Sequence, residues 1–266
     1  MASLAVVGNL SRDHVDGGPP RIGGAPFHAA RALRALGSRA VVVAKCAQSD
    51  RLELLPPLIR LGVPVLWRAG SSTAGFSFRY EGDRRVMSVD ALGDPWAPAD
   101  VRGLGRAPWV HVGALAHSDF PAETLEQLAR DRRLLLDGQG LVRPPRTGPL
   151  ELDPAYDPAV LQHVSVLKLA EEEARVLVGE PDEESLRSLG VPEVIVTLGS
   201  RGSLVLANGR LERVAAAPLA GDIDPTGAGD AFAAAYLVSR QSGHAPVAAA
   251  RQATALVSGL LGRRLR

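Results

Sequence analysis

Asp224-Pro225-Thr226-Gly227-Ala228-Gly229-Asp230-Ala231-Phe232 is the stretch of this chain best suited to chemistry. Its small residues lead into an apolar run that reads as a helix. Gly227, Ala228 and Gly229 leave their backbone N–H groups unobstructed at the start of that helix, where the positive end of its dipole also lies. Such a turn suits a phosphate or a developing anion. Asp230 falls in the first turn, where a carboxylate also stabilises the helix itself. That accounts for one aspartate. It does not account for the small size of every neighbour, or for the second acid, Asp224, that opens the loop.

The devices that usually hold a nucleotide are missing from the sequence. Neither lysine (Lys45, Lys168) follows a glycine, so there is no GxxxxGK[ST] loop. No GxGxxG follows the first apolar run, which argues against a dinucleotide fold. There is no HExxH, no GxSxG and no protein-kinase HRD or DFG set. If phosphate binds here, the Gly227–Gly229 turn must hold it.

The elements that would carry this turn follow from hydrophobic period. Leu4–Val7 reads as a buried strand that ends at Gly8. Phe27, Ala30, Leu33 and Leu36 recur at helical spacing behind Pro26, and Gly37 closes that helix. Ala40–Val43 is the next strand, and Leu52–Leu61 is an amphipathic stretch interrupted by Pro56 and Pro57. Strands are further predicted at 109–112, 134–137, 165–169, 194–197 and 203–207. Helices are predicted at 121–130, 171–177, 183–189, 228–240 and 246–260. This alternation argues an α/β fold with a mainly parallel sheet and crossover helices. The segment 138–157 is rich in Pro and Gly and reads as loop. Residues 63–90 break the pattern: Phe76, Phe78 and Tyr80 alternate with Ser77 and Arg79, a turn follows, and 86–89 returns. We expect a small β lid inserted there in a single domain spanning 1–266; an extra hairpin at the sheet edge is the plainer alternative.

The glycine-rich stretch resembles the C-terminal motif of the PfkB carbohydrate kinases, the ribokinase-like family. Other pieces occur in family order. Gly8 and Asp13 resemble the first strand end and the substrate aspartate, and Gly23-Gly24 the glycine pair beside the acceptor. Leu167–Ala174 resembles the N-x-x-E region, and Val196–Gly202 the nucleotide-loop strand. The resemblance spans nearly the whole chain and implies a three-layer α/β/α fold with a β lid. It implies an ATP-dependent phosphotransferase in which an alcohol attacks the γ-phosphate.

Several roles come with that resemblance. Asp230 would be the base that takes the hydroxyl proton, with the ordinary aspartate pKa of about 3.9. Gly227, Ala228 and Gly229 would form the anion hole for the charge that spreads over the phosphoryl oxygens. Asp13, Gly23, Gly24, His28, Asp137, Gln139 and Arg143 would meet the acceptor, with Asp13 on a loop after the first strand. Lys168, Thr197, Gly199 and Gly202 would meet the nucleotide together with Gly227 and Gly229, and the adenine would lie near 253–258. Glu173 matches the acid of N-x-x-E and would hold Mg²⁺ through water, for which one carboxylate suffices. Asp224 would lie near a monovalent cation such as K⁺. For Glu173 the plain alternative is a solvated helix face, since Glu171, Glu172 and Glu173 run together; for Arg143 it is a surface loop cation, and for His28 a satisfied helix histidine.

The chain departs from the family pattern at two asparagine positions, occupied by His28 and Ala170. Those losses, the Asp-Pro of the motif and the Asp137–Arg143 segment look similar to inositol-kinase-like members. A small sugar or cyclic polyol such as myo-inositol is therefore the expected acceptor. A nucleoside is the alternative within the family, with Phe27, Phe76 or Phe78 as a base pocket. A kinase-like binding protein without catalysis is the alternative of another class, and the intact Asp230 and glycines argue against it.

Composition agrees with a globular enzyme. The 266 residues carry 30 basic and 29 acidic side chains, a balance that gives no electrostatic footprint for nucleic acid or an anionic membrane. Cys46 is the lone cysteine and reads as a buried strand thiol. No apolar run is long enough for a signal or a membrane span, so a cytoplasmic protein is expected. A homodimer formed through the lids is the partner that the resemblance allows.

Overall fold

The computed structural model describes residues 3–81, 84–216 and 226–263. Its first strand, β1 (Leu4–Asn9), is buried along its whole length. Alternation splits its side chains: Leu4 and Val6 join one apolar cluster and Ala5 and Val7 the other. A strand buried on both faces belongs in the middle of a parallel sheet. After Leu10 the chain enters β2 (Ser11–Val15) and returns through β3 (Arg21–Gly23) into α1 (Ala25–Ala35). Pro26 sits in the first turn of α1, and Gly37, at φ 60°, follows its end.

The chain continues through β4 (Ala40–Ala47), α2 (Arg51–Ile59) and β5 (Val65–Gly70) to the hairpin β6 (Ala74–Glu81) and β7 (Arg84–Ala91). Next come β8 (Trp109–Gly113), α3 (Ala122–Ala129), β9 (Arg133–Asp137), the single turn α4 (Gln139–Val142) and β10 (Gly148–Pro149). Then follow β11 (Val166–Ala170), α5 (Glu171–Val178), α6 (Glu183–Arg187), β12 (Glu193–Thr197), β13 (Ser203–Ala207) and β14 (Arg210–Val214). The last two helices are α7 (Ala228–Gln241) and α8 (Pro246–Arg263).

Among the described residues the main sheet runs β14-β13-β12-β11-β9-β8-β1-β4-β5. Its pairings are parallel from β5 to β12 and antiparallel at β13 and β14. Helices α1, α2, α7 and α8 pack on one face, and α3, α5 and α6 on the other, with one apolar cluster in each layer. This is the expected three-layer α/β/α fold. Cys46 is buried in β4.

A smaller sheet, β10-β7-β6-β2-β3, stands beside the ends of the large one. It corrects two expectations. The expected lid began at residue 63, but β5 pairs with β4 in register Val42↔Val65 and is the edge of the main sheet. The hairpin expected as a lid is β6–β7. Asp13, expected on a loop, lies in β2, which pairs with β3 and β6. With only Leu10 between β1 and β2, no Gly or Pro marks the passage from one sheet to the other. The stretch expected to be all loop at 138–157 also carries α4 and β10.

Candidate active site

Parallel pairing puts the chemistry at one end of the main sheet. Asp137 closes β9, and Lys168 of β11 is its register partner. Their side chains meet at 3.0 Å between Lys168 Nζ and Asp137 Oδ1, both buried. His111 of β8, wholly buried, brings Nε2 to 3.7 Å from Asp137 Oδ2. Helix α7 ends over these strands with its N-terminus. Gly227, its N-cap, holds φ 76°, and a Cβ there would lie 2.3 Å from His28 Nδ1. Both the backbone angle and the space therefore demand glycine. A Cβ at Gly229 would lie 2.7 Å from Lys168 Nζ, so this ammonium sits directly under the turn. The first intrahelical bond at this end runs from the Ala231 amide to the Gly227 carbonyl at 3.0 Å. The amides of Ala228, Gly229 and Asp230 thus have no intrahelical acceptor, as at any helix start.

One cavity of about 320 Å³ joins these groups to most of the other expected residues. Asp13, Gly24, His28, Gln139 and Arg143 line it beside Asp137 and Asp230, and Lys168, Glu173, Thr197, Gly199, Gly227, Ala228 and Gly229 line it as well. Ser11, Met87 and Leu115, which carry no sequence signal, also face it, as does Glu172, one of the three glutamates expected on a solvated helix face. Phe76 and Phe78 of β6 form an apolar wall, with ring centroids 6.4 Å apart, and the Arg143 guanidinium lies 5.6 Å from the Phe76 centroid.

Two expected residues act from behind the wall. A Cβ at Gly23 would fall 2.0 Å from Asp13 Oδ2, so this glycine makes room for the carboxylate. A Cβ at Gly202 (φ 92°) would fall 1.9 Å from the Val214 carbonyl oxygen, so its need for glycine is already met by β14. A Cβ at Gly24 (φ 88°) would fall 2.3 Å from the Asn9 carbonyl oxygen. Asp224 lies outside the described residues. The adenine expectation finds Ala253 and Thr254 buried, with the Thr254 hydroxyl donating to the Ala250 carbonyl. Val257 lines a second cavity, of about 380 Å³, with His28, Arg31, Thr226, Gly227 and Ala228.

Glu173 is not on a solvated face. It is buried, and its Oε2 accepts a 2.7 Å bond from the amide of Ala170, the N-cap of α5. Glu171 instead pairs outward with Arg175 and Arg201. Glu172 and Glu173 both line the cavity, and carboxylates are the kind of hard donor that magnesium takes beside phosphate oxygens. His111, Asp137 and Asp230 also offer ligand atoms within 4.8 Å of one another. There, however, the Lys168 ammonium already supplies the cation.

Burial and charge set the protonation states. Enclosure and the neighbouring Asp137 raise the Asp230 carboxyl to about 6, against the partial relief given by His111, Lys168 and Arg143. This corrects the expected ordinary value. Burial alone would raise Asp137, but Lys168 and His111 outweigh it and hold that carboxyl at about 2. Burial works against the Lys168 ammonium, and Asp137, Glu173 and Asp230 more than offset it, so its pKa is raised. Glu173 is raised, first by burial. The cluster therefore pairs a firmly ionised Asp137–Lys168 couple with a more basic carboxylate at Asp230.

Comparison with known proteins agrees with this architecture. A curated inositol 3-kinase from Zea mays is 33% identical over 186 residues, which are 68% of this chain and 46% of that protein; the chain thus spans about half its length. A solved pyrophosphate-dependent kinase of the ribokinase family, complexed with a pyrophosphate analogue and myo-inositol, superposes with a TM-score of 0.84 at 26% identity, covering 97% of this chain and 94% of that one. A nucleoside kinase from Burkholderia thailandensis in complex with inosine shares the fold (TM-score 0.73, 19% identity, 97% and 90% covered). The family model of the pfkB carbohydrate kinases matches residues 19–261, and the chain belongs to that family.

Proposed function

We propose that this protein is a kinase that transfers a terminal phosphoryl group to a hydroxyl of a small cyclic polyol, with myo-inositol as the first acceptor to test. One observation carries the reading. A single cavity holds a basic carboxylate, Asp230, between an acceptor end around Asp13 and a donor end at the α7 N-terminus. The acceptor end combines the carboxylate of Asp13 and the amide of Gln139 with the apolar wall of Phe76, Phe78 and Leu115. That mixture suits a ring with hydroxyls on its edge and C–H groups on its faces. The names of the similar inositol kinases support the same acceptor.

In the reaction, Asp230 accepts the proton as the acceptor oxygen bonds to phosphorus and the bond to the leaving phosphate breaks. A carboxylate with a pKa of about 6 is mostly ionised at pH 7, yet better matched to this task than an ordinary aspartate. The amides at the start of α7 and the Lys168 ammonium beneath them meet the charge on the transferring group. Glu172 and Glu173 would hold magnesium, which supplies charge neutralisation to the donor phosphates when bound.

The donor read from the sequence is ATP. Pyrophosphate is the second reading. It is supported by the similar solved kinase that is described as pyrophosphate-dependent and was complexed with a pyrophosphate analogue. The test is turnover with ATP or pyrophosphate and Mg²⁺ against a panel of polyols, sugars and nucleosides, with product detected by ³¹P NMR. Phosphorylated myo-inositol or a close polyol is expected. Turnover of nucleosides alone, or none with any acceptor, overturns the reading.

A further inference from the structure

His111 was invisible to sequence reasoning because it lies inside an apolar strand. In β8, alternation puts it on the same face as Trp109, which packs in the cluster that contains α7. Its side chain is fully buried, and neither ring nitrogen has a hydrogen-bond partner among the described residues. A wholly enclosed imidazole without a partner is costly and calls for an explanation. Its polar surroundings are carboxylates: Asp137 Oδ2 at 3.7 Å, itself without a hydrogen bond, and the Asp230 carboxylate within 4.8 Å.

We propose that His111 is a positioning residue for the base: buried with ligand atoms of both Asp137 and Asp230 within 4.8 Å, its imidazole sets how readily Asp230 takes up and releases the acceptor's proton. This role rests on the reading of Asp230 as the base. The charges around it explain why it is needed. From β9 it faces Asp137, and from α7 it faces Asp230. Farther out lie Lys168 from β11, Glu173 from α5 and Arg143 after α4. Strand β1, on its other side, carries no ionisable residue, and α1, which crosses the end of β8 at Gly113, brings His28 to the cavity. Three acids thus share Lys168 as their one fully buried cation. Two carboxylates facing each other across a buried floor resist ionising together. An imidazole close to both relieves that repulsion and keeps Asp230 ionised near neutral pH.

The measurement is the carboxyl ¹³C titration of Asp230 in aspartate-labelled protein, assigned by its loss in Asp230→Asn. In His111→Gln and His111→Asn its midpoint should rise by about half a pH unit or more, as for a like-charge pair losing its mediator. The acid limb of kcat should move by the same amount, with acceptor and donor KM within about threefold. An unchanged midpoint in a folded variant overturns the proposal, whether or not the protein phosphorylates a polyol. Should neither variant fold, the ring ¹⁵N chemical shifts of His111 at fixed pH should differ between Asp230→Asn and wild type, and identical shifts overturn it. An unmoved midpoint with intact polyol turnover refutes His111 alone; a wild type without turnover refutes the kinase reading alone.

Discussion

Lys168 and Asp137 stand opposite each other in register on adjacent parallel strands and close a 3.0 Å ion pair beneath the first turn of α7. Neither has an independent route to charge in so buried a place. Removing one partner leaves the other uncompensated, which costs about 3–5 kcal/mol for buried pairs, whereas removing both is far cheaper. Asp137→Asn and Lys168→Met should each lower stability by an amount of that order in urea denaturation. The double variant should recover at least half of the loss. Simple additivity would mean that the two side chains do not depend on each other.

Asp230→Asn should lower kcat by at least about 10²-fold, the low end for losing a general base. Donor KM should change little, since the amides of the α7 turn are untouched. Stability should move the other way. The Asp230 carboxyl titrates at about 6 in the fold, against 3.8 for an exposed aspartate, so the native state binds the proton more tightly. Ionising it therefore costs stability as pH rises through that window. At pH 8, Asp230→Asn should melt at the same temperature as wild type or higher. A marked loss of Tm there would make Asp230 a structural residue.

The same value fixes the pH dependence of the wild type. kcat/KM should rise with pH, bend at about 6 and level off above it, as expected for a base that must be ionised. Asp137, held at about 2, stays ionised throughout and does not contribute to that limb. A bend near 4 would mean that Asp230 behaves as an exposed carboxylate.

What could be read from the sequence was what is contiguous in it. Gly227–Asp230 form one helix start, so spacing alone marks it as the expected place for phosphate, and the strong periodicity of 228–240 points to the helix behind it. Asp13 was recognised as a residue but misplaced, because β1 passes into β2 through a single leucine. His111 gives no signal and Glu172 reads as a solvated glutamate for another reason. One lies inside an apolar strand and the other in a run of three glutamates. Their significance arises only when β9 lies between β8 and β11, a topological fact that no local pattern records.

Ala170 occupies the N-cap of α5, with a backbone angle suited to a capping side chain and none to offer. An asparagine there would accept a bond from the first turn, a contribution of about 1 kcal/mol. Ala170→Asn should raise Tm accordingly and leave the Mg²⁺ needed for half-maximal rate unchanged or lower. Glu173→Gln should raise that Mg²⁺ requirement, since it removes one of the two acids at the donor end. If Glu173→Gln leaves the Mg²⁺ dependence unaltered, the metal is held elsewhere.

The lid hairpin supplies Phe76, Phe78 and Met87 to the cavity, so an acceptor bound there would be covered by β6 and β7. Phe76 and Phe78 are buried against Leu115 in a small cluster of their own, separate from the two large cores. Elements with few apolar contacts to the main core open at lower free energy than the rest. Closing such an element over substrate excludes water from the transfer. Amide hydrogen exchange at Phe76–Arg79 should therefore be faster than in β1 without acceptor, and should slow when acceptor binds. Exchange in β1 should be the same in both states. Equal exchange at Phe76–Arg79 with and without acceptor would make the hairpin a fixed edge of the smaller sheet. It would then place acceptor selectivity in the rigid residues Asp13 and Gln139.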